Sequence, residues 1–166
     1  MIKHKKQKAF SLVEILVVIS IFAVIGILTT RSIFITLRSS RKSDSLVRVR
    51  ENVNYAMGII ERQIRTAESV NCATVTANNL PYIADGGIST SFSLATVGTD
   101  RYIASGAARL TSNDVTVTSA TFTCTQDLNK NNPPSINISI VAEDNKSIGA
   151  EKGSVSSQTE ILLRNY

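Results

Sequence analysis

Residues Phe10 to Thr30 read FSLVEILVVISIFAVIGILTT, twenty-one residues with a single charge at Glu14. As an α-helix at about 1.5 Å per residue this stretch reaches about 31 Å, enough to cross a bilayer core. It is longer than an ordinary secretory hydrophobic region, and no A-x-A pattern follows it, so it reads as one transmembrane helix that stays with the protein. Lys3, Lys5, Lys6 and Lys8 flank one end, and Arg31, Arg38, Arg41 and Lys42 the other. Counting positive charges therefore leaves the orientation open. Glu14 is the anomaly, because a carboxylate inside an apolar helix costs a few kcal/mol, less near the headgroups than at the centre. Either Glu14 snorkels to the near interface, or a cation within a protein assembly neutralises it.

The formal charge of +5 is uneven along the chain. Without the four leader lysines the balance is close to neutral. Residues 31–68 carry eight basic and four acidic side chains, and residues 69–166 carry six basic and eight acidic ones. Nucleic-acid binding needs a concentrated basic face on a folded module, and the C-terminal part offers none, so no direct nucleic-acid binding is predicted. The one histidine, His4, lies in the leader, which argues against Ser-His-Asp or Cys-His catalysis. Two cysteines cannot make a four-thiolate zinc site. No catalytic set, metal site or cofactor is predicted.

Downstream, Leu46, Val49, Val53, Ala56, Ile60, Ile64 and Ala67 recur at spacings of three and four, predicting an amphipathic helix over 31–69. Glu61 and Arg65 are spaced as an ion pair one turn apart. The stretch Arg38 to Ser45 is polar all round and reads as a solvated neck. Residues 10–69 would then form one helix of about 90 Å, with Gly26 its weak point. After Ser69, Thr, Ser, Asn and Val dominate. Residues 92–97, 102–104, 115–125, 136–142 and 160–164 are strand candidates. Turns are expected at Ala84–Gly87, Ser112–Asp114 and Asp127–Pro134. The fold class is α+β: a long N-terminal helix, half transmembrane and half amphipathic, packed on an antiparallel sheet of about four to six strands.

The run Lys8-Ala9-Phe10-Ser11-Leu12-Val13-Glu14 followed by an apolar stretch resembles the N-terminal signal of type IV pilins and type II secretion pseudopilins. The resemblance implies a pilin-like fold. It also implies a cytoplasmic leader cut by a prepilin peptidase between Ala9 and Phe10, N-methylation of Phe10, and a helix that packs with its neighbours in a filament core. Ala9 stands where the family has Gly. On this reading residues 1–9 are the leader, 10–30 the transmembrane or filament-core helix, 31–69 the stalk and 70–166 a β-rich head outside the cytoplasm. The expected partners are the prepilin peptidase, other pilin or pseudopilin subunits, an inner-membrane assembly platform and, before assembly, the lipid bilayer. Glu14 would then pair with the freed amine of Phe10, its own or that of an adjoining subunit, and favour one axial register.

The phrases Met57–Ala67 and Thr159–Asn165 are similar to stretches of J-type minor pseudopilins and W-type minor pilins, which points to a minor subunit. In a head outside the cytoplasm, Cys72 and Cys124 read as a disulfide from the helix end to the strand 115–125, the alternative being two buried thiols. Residues 127–138 begin like a calcium-binding loop but carry Asn132 and Ile138 where Gly and Glu are needed, so they read as a solvated turn. Asn137-Ile-Ser139 and Asn145-Lys-Ser147 match the glycosylation pattern but carry little weight in a chain of prokaryotic type. The expected function is a non-enzymatic structural subunit of a pilus-like filament. The rivals are a pseudopilin of a secretion or DNA-uptake machine and, in another class, a single-pass membrane-anchored β-rich binding domain.

Overall fold

Helix α1 spans Leu12–Thr66 in a computed structural model that describes residues 11–126 and 133–163. No proline precedes Pro81, so every residue of this helix keeps its backbone donor. The chain divides into two units, Met1–Ser40 and Arg41–Tyr166.

In the first unit every described side chain, Ser11 to Ser40, is exposed. Four hydroxyls of this stretch bond back to its own backbone. Thr30 Oγ1 donates to the Gly26 carbonyl at 2.8 Å, Thr29 Oγ1 to those of Ile25 and Gly26, Ser20 Oγ to Val17 and Thr36 Oγ1 to Ser32. Hydroxyls bonded one turn back tolerate an apolar setting that free ones would not. The helix continues through Gly26, as expected.

In the second unit α1 buries Val49, Val53, Ala56, Ile60 and Ile64 of the expected stripe, together with Met57, and Leu46 is half-buried at its margin. Ser45, expected in the solvated neck, is buried as well, because its hydroxyl bonds to Asp144. The helix ends at Thr66, three residues short of the predicted end. Glu61 does not form its expected pair with Arg65. Its carboxylate instead accepts a short bond from Thr159 Oγ1.

Strands β1 (Asn79–Ala84), β2 (Ile88–Val97), β3 (Asp100–Ser105) and β4 (Ala108–Arg109) form one antiparallel sheet in chain order. Strands β5 (Val115–Thr125), β6 (Ser135–Asp144) and β7 (Ser154–Leu162) form a second. The antiparallel α+β layout is the predicted one, but the strands split between two sheets. The break has a local cause. Strand β4 is two residues long, and β5 carries a bulge between Val117 and Ser119, where Arg101 Nη1 donates to the Thr118 carbonyl at 2.7 Å in place of a ladder bond. The turn at Thr76–Asn79 closes the seam. The Ala77 carbonyl accepts from Phe122 N–H of β5 at 3.0 Å, and the Asn78 carbonyl from Leu94 N–H of β2 at 2.9 Å.

Alternation then does the packing. Leu80, Phe92, Ile103, Phe122, Ile138 and Ile161 are fully or almost fully buried with the helix stripe. Tyr82 stacks on Phe92 with centroids 5.1 Å apart and donates from its hydroxyl to Gln63 Oε1 at 2.6 Å. Burial pushes the Tyr82 phenol above its usual range. Strand β5 falls on the predicted 115–125. Strands β2, β3 and β6 contain their predicted cores, and β7 begins six residues before the predicted 160. The turn before β2 uses Gly86 and Gly87 at φ +85° and +75°, a conformation glycine adopts without strain. The predicted turn at 127–134 and the end of the predicted strand at Arg164 lie largely outside the described residues.

Candidate processing and assembly segment

Ser11 immediately precedes α1, and its carbonyl accepts the N–H groups of Glu14 at 3.0 Å and Ile15 at 3.2 Å. The helix therefore opens directly before the apolar run and places Glu14 in its first turn. A carboxylate there faces the positive end of the helix dipole. The Ser-x-x-Glu spacing is itself a helix-start signal, a point the hydrophobic reading passed over. Ala9 and Phe10, the expected cleavage and methylation positions, lie outside the described residues, as does the leader.

Beyond Glu14 the segment is a column of uncovered apolar side chains. Leu12 is 79% exposed, Phe22 71% and Ile35 69%. This helix is long and apolar enough to cross a membrane. Exposed apolar surface on this scale is stable in water only when lipid or protein covers it. Glu14 is the one ionic group along it from Leu12 to Thr30.

A second group fixes the start of the second unit, and the sequence did not reveal it. Asp144, at the end of β6, is fully buried. Its carboxylate accepts from Ser45 Oγ at 2.9 Å, Arg48 Nη1 at 3.2 Å and Ser147 N–H at 3.1 Å. Burial alone would raise its pKa. The hydrogen bonds of Ser147, Ser45 and the Lys146 N–H, with the Arg48 charge, outweigh this and hold it below the usual carboxylate range. Ser45 Oγ also accepts from Gly153 N–H at 2.7 Å. A Cβ on Gly153 would stand 2.8 Å from Leu46 N, so only glycine permits this approach of strand to helix. In sequence, Ser45 sits in a polar run and Asp144 ends an alternating strand, so neither stood out.

Cys72 and Cys124 are joined by a disulfide with Cα atoms 5.2 Å apart. Cys72 lies not on the helix but in a 3-10 turn, Cys72–Thr74, capped by Asn71. The bridge thus links the segment after α1 to β5. Ile138, the twelfth position of the calcium-like loop, is a buried residue of β6. Among the described residues no cluster of His, Cys, Asp and Glu is placed to hold a metal ion.

A family model, the prokaryotic N-terminal methylation motif, matches residues 4–30. No curated protein and no solved structure matches the chain. The matched residues take in the junction at Ala9 and Phe10, Glu14 and the exposed apolar column. That motif stands at the start of a long helix packed against antiparallel β-sheets, the layout that the resemblance to type IV pilins and pseudopilins implies.

Proposed function

We propose that the chain is the precursor of a non-enzymatic, minor subunit of a pilus-like filament or pseudopilus. A prepilin peptidase cuts between Ala9 and Phe10 on the cytoplasmic side, and the new terminus at Phe10 is N-methylated. Residues 10–30 hold the protein in the cytoplasmic membrane, with the β-rich part outside the cytoplasm, until an assembly platform passes it into a filament. There the apolar column exchanges lipid for the helices of neighbouring subunits. Cleavage creates a positive amine on Phe10, one helical turn from Glu14. Pairing of Glu14 with that amine on an adjoining subunit removes an uncompensated charge from an apolar bundle and disfavours other registers.

The observation that carries this reading is the methylation motif at residues 4–30, set on an apolar helix whose side chains are uncovered. Intact-mass spectrometry of the membrane-extracted protein, from cells with and without the peptidase, tests it. The expected product begins at Phe10 and carries one added methyl group when the peptidase is present. A product retaining Met1 or the leader lysines in peptidase-positive cells overturns the reading in favour of a membrane-anchored binding domain.

A further inference from the structure

Two antiparallel sheets present four edges, and three of them are closed. On β1, Asn79 exchanges both bonds with Thr76, Pro81 has no N–H, and Ile83 is bonded to Glu68 and Ser69. Strand β4 is two residues long. On β5, a bulge interrupts the ladder, Thr118 is held by Arg101 and Phe122 by Ala77. Short strands, prolines and bulges are the means by which proteins stop strands from adding to an edge.

Strand β7 has none of them. It runs nine residues, Ser154–Leu162, in unbroken register with β6, contains no proline and no lysine, and carries one charge, Glu160. The bonds at its two ends, Asp144 N–H to the Gly153 carbonyl and Leu163 N–H to the Pro134 carbonyl, fix the alternation of the ladder. Odd-numbered residues therefore bond to β6, and residues 154, 156, 158, 160 and 162 aim their N–H and carbonyl groups away from it. None of these groups has a partner among the described residues. Thr159 fixes which helix face lies beside this edge, through its bond to Glu61. Arg50 lies eleven residues before Glu61, about three helical turns, and Arg65 one turn after it, so both extend along that face. Both are exposed, and neither forms an ion pair among the described residues.

We infer that the outer edge of β7 takes up an extended, acid-bearing segment of a partner protein as an added antiparallel strand, with the partner's carboxylates meeting Arg50 and Arg65. Main-chain bonds to the even-numbered residues hold the segment, and the two arginines select its charge. The inference is independent of cleavage and filament assembly.

The test uses the full chain in uncharged detergent micelles. Its probe is a labelled peptide of alternating glutamate and threonine, matched to β7 in length, followed by fluorescence anisotropy. Saturable binding is expected. Gln158→Pro removes an outward N–H and should abolish binding, whereas Gln158→Thr, which keeps the N–H, should leave it unchanged. Arg50→Ala with Arg65→Ala should weaken it roughly three- to ten-fold. Near-ultraviolet circular dichroism establishes that each variant is folded. Should Gln158→Pro unfold the domain, N-methylation of the Gln158 amide by semisynthesis replaces it as the test of the same donor. Absence of saturable binding, binding that survives loss of this donor, or equal binding of the lysine–threonine peptide overturns the inference. Self-association of the chain that disappears with Gln158→Pro also overturns it, because the occupant is then a second copy.

Discussion

Replacing Asp144 with alanine should loosen the point where the chain enters its second unit. The carboxylate is fully buried and accepts from Ser45, Arg48 and the Ser147 N–H. Stranding buried donors costs about 1–3 kcal/mol, and breaking a wholly buried ion pair about 3–5 kcal/mol. The Arg48 side chain is 35% exposed and can turn to water, which places the expected loss at about 2–4 kcal/mol. For a unit of this size that lowers Tm by roughly 6–15 °C. The assay is thermal unfolding of the full chain in micelles, followed by the near-ultraviolet signal of its tyrosines. The pH dependence provides the sharper check. Because the folded-state pKa of Asp144 is depressed, its contribution is complete above the unfolded carboxylate pKa of about 4. It is lost as pH falls below that value through the folded pKa. The gap in Tm between wild type and Asp144→Ala should therefore be widest near neutrality and close as the solution is acidified. A gap under about 2 °C at pH 7, or one that stays constant down to pH 2, refutes the account of this carboxylate.

The remaining expectations concern the bridge, the strand approach and the helix. Replacing Cys72 and Cys124 together with serine should cost about 4 kcal/mol by loop entropy for a separation of 52 residues; an unchanged denaturant midpoint would sink it. Gly153→Ala forces a Cβ to within 2.8 Å of Leu46 N and should destabilise by about 1–3 kcal/mol, whereas Gly58→Ala, where nothing lies within 4 Å, should be neutral or slightly stabilising in the same melt. Glu14→Val should leave membrane insertion intact while lowering incorporation into filaments several-fold, measured as the sheared-to-membrane ratio by immunoblot. Wild-type incorporation of that variant removes the pairing role.

How far the sequence reached depends on whether a feature is periodic. The helix stripe from Val49 to Ile64 and the alternation of Val115–Thr125 appeared directly, because each reflects one repeating environment. Strand β1 escaped because Pro81 argues against a strand until Pro81 is known to occupy an edge, where its missing N–H is harmless. The second sheet escaped because a bulge at Thr118 and a two-residue β4 are single events that leave no period. Glu14 stood out against an apolar background, whereas Asp144 and Ser45 form their site across 99 positions of sequence, and no local pattern anticipates that meeting. The periodicity alone carries the helix on towards Cys72, whereas the chain leaves the helix at Thr66 and reaches the bridge through a capped turn.

The Thr76–Asn79 turn has a bearing on how this fold can vary. It joins the two sheets through the carbonyls of Ala77 and Asn78, while the side chains of both residues stand in solvent. Such a suture is blind to residue identity and strict about spacing. Relatives of this protein should accept almost any non-proline pair at these two positions, yet a single insertion or deletion between Thr76 and Asn79 would cost both of these bonds and leave the seam to the Arg101–Thr118 bond and the shared core.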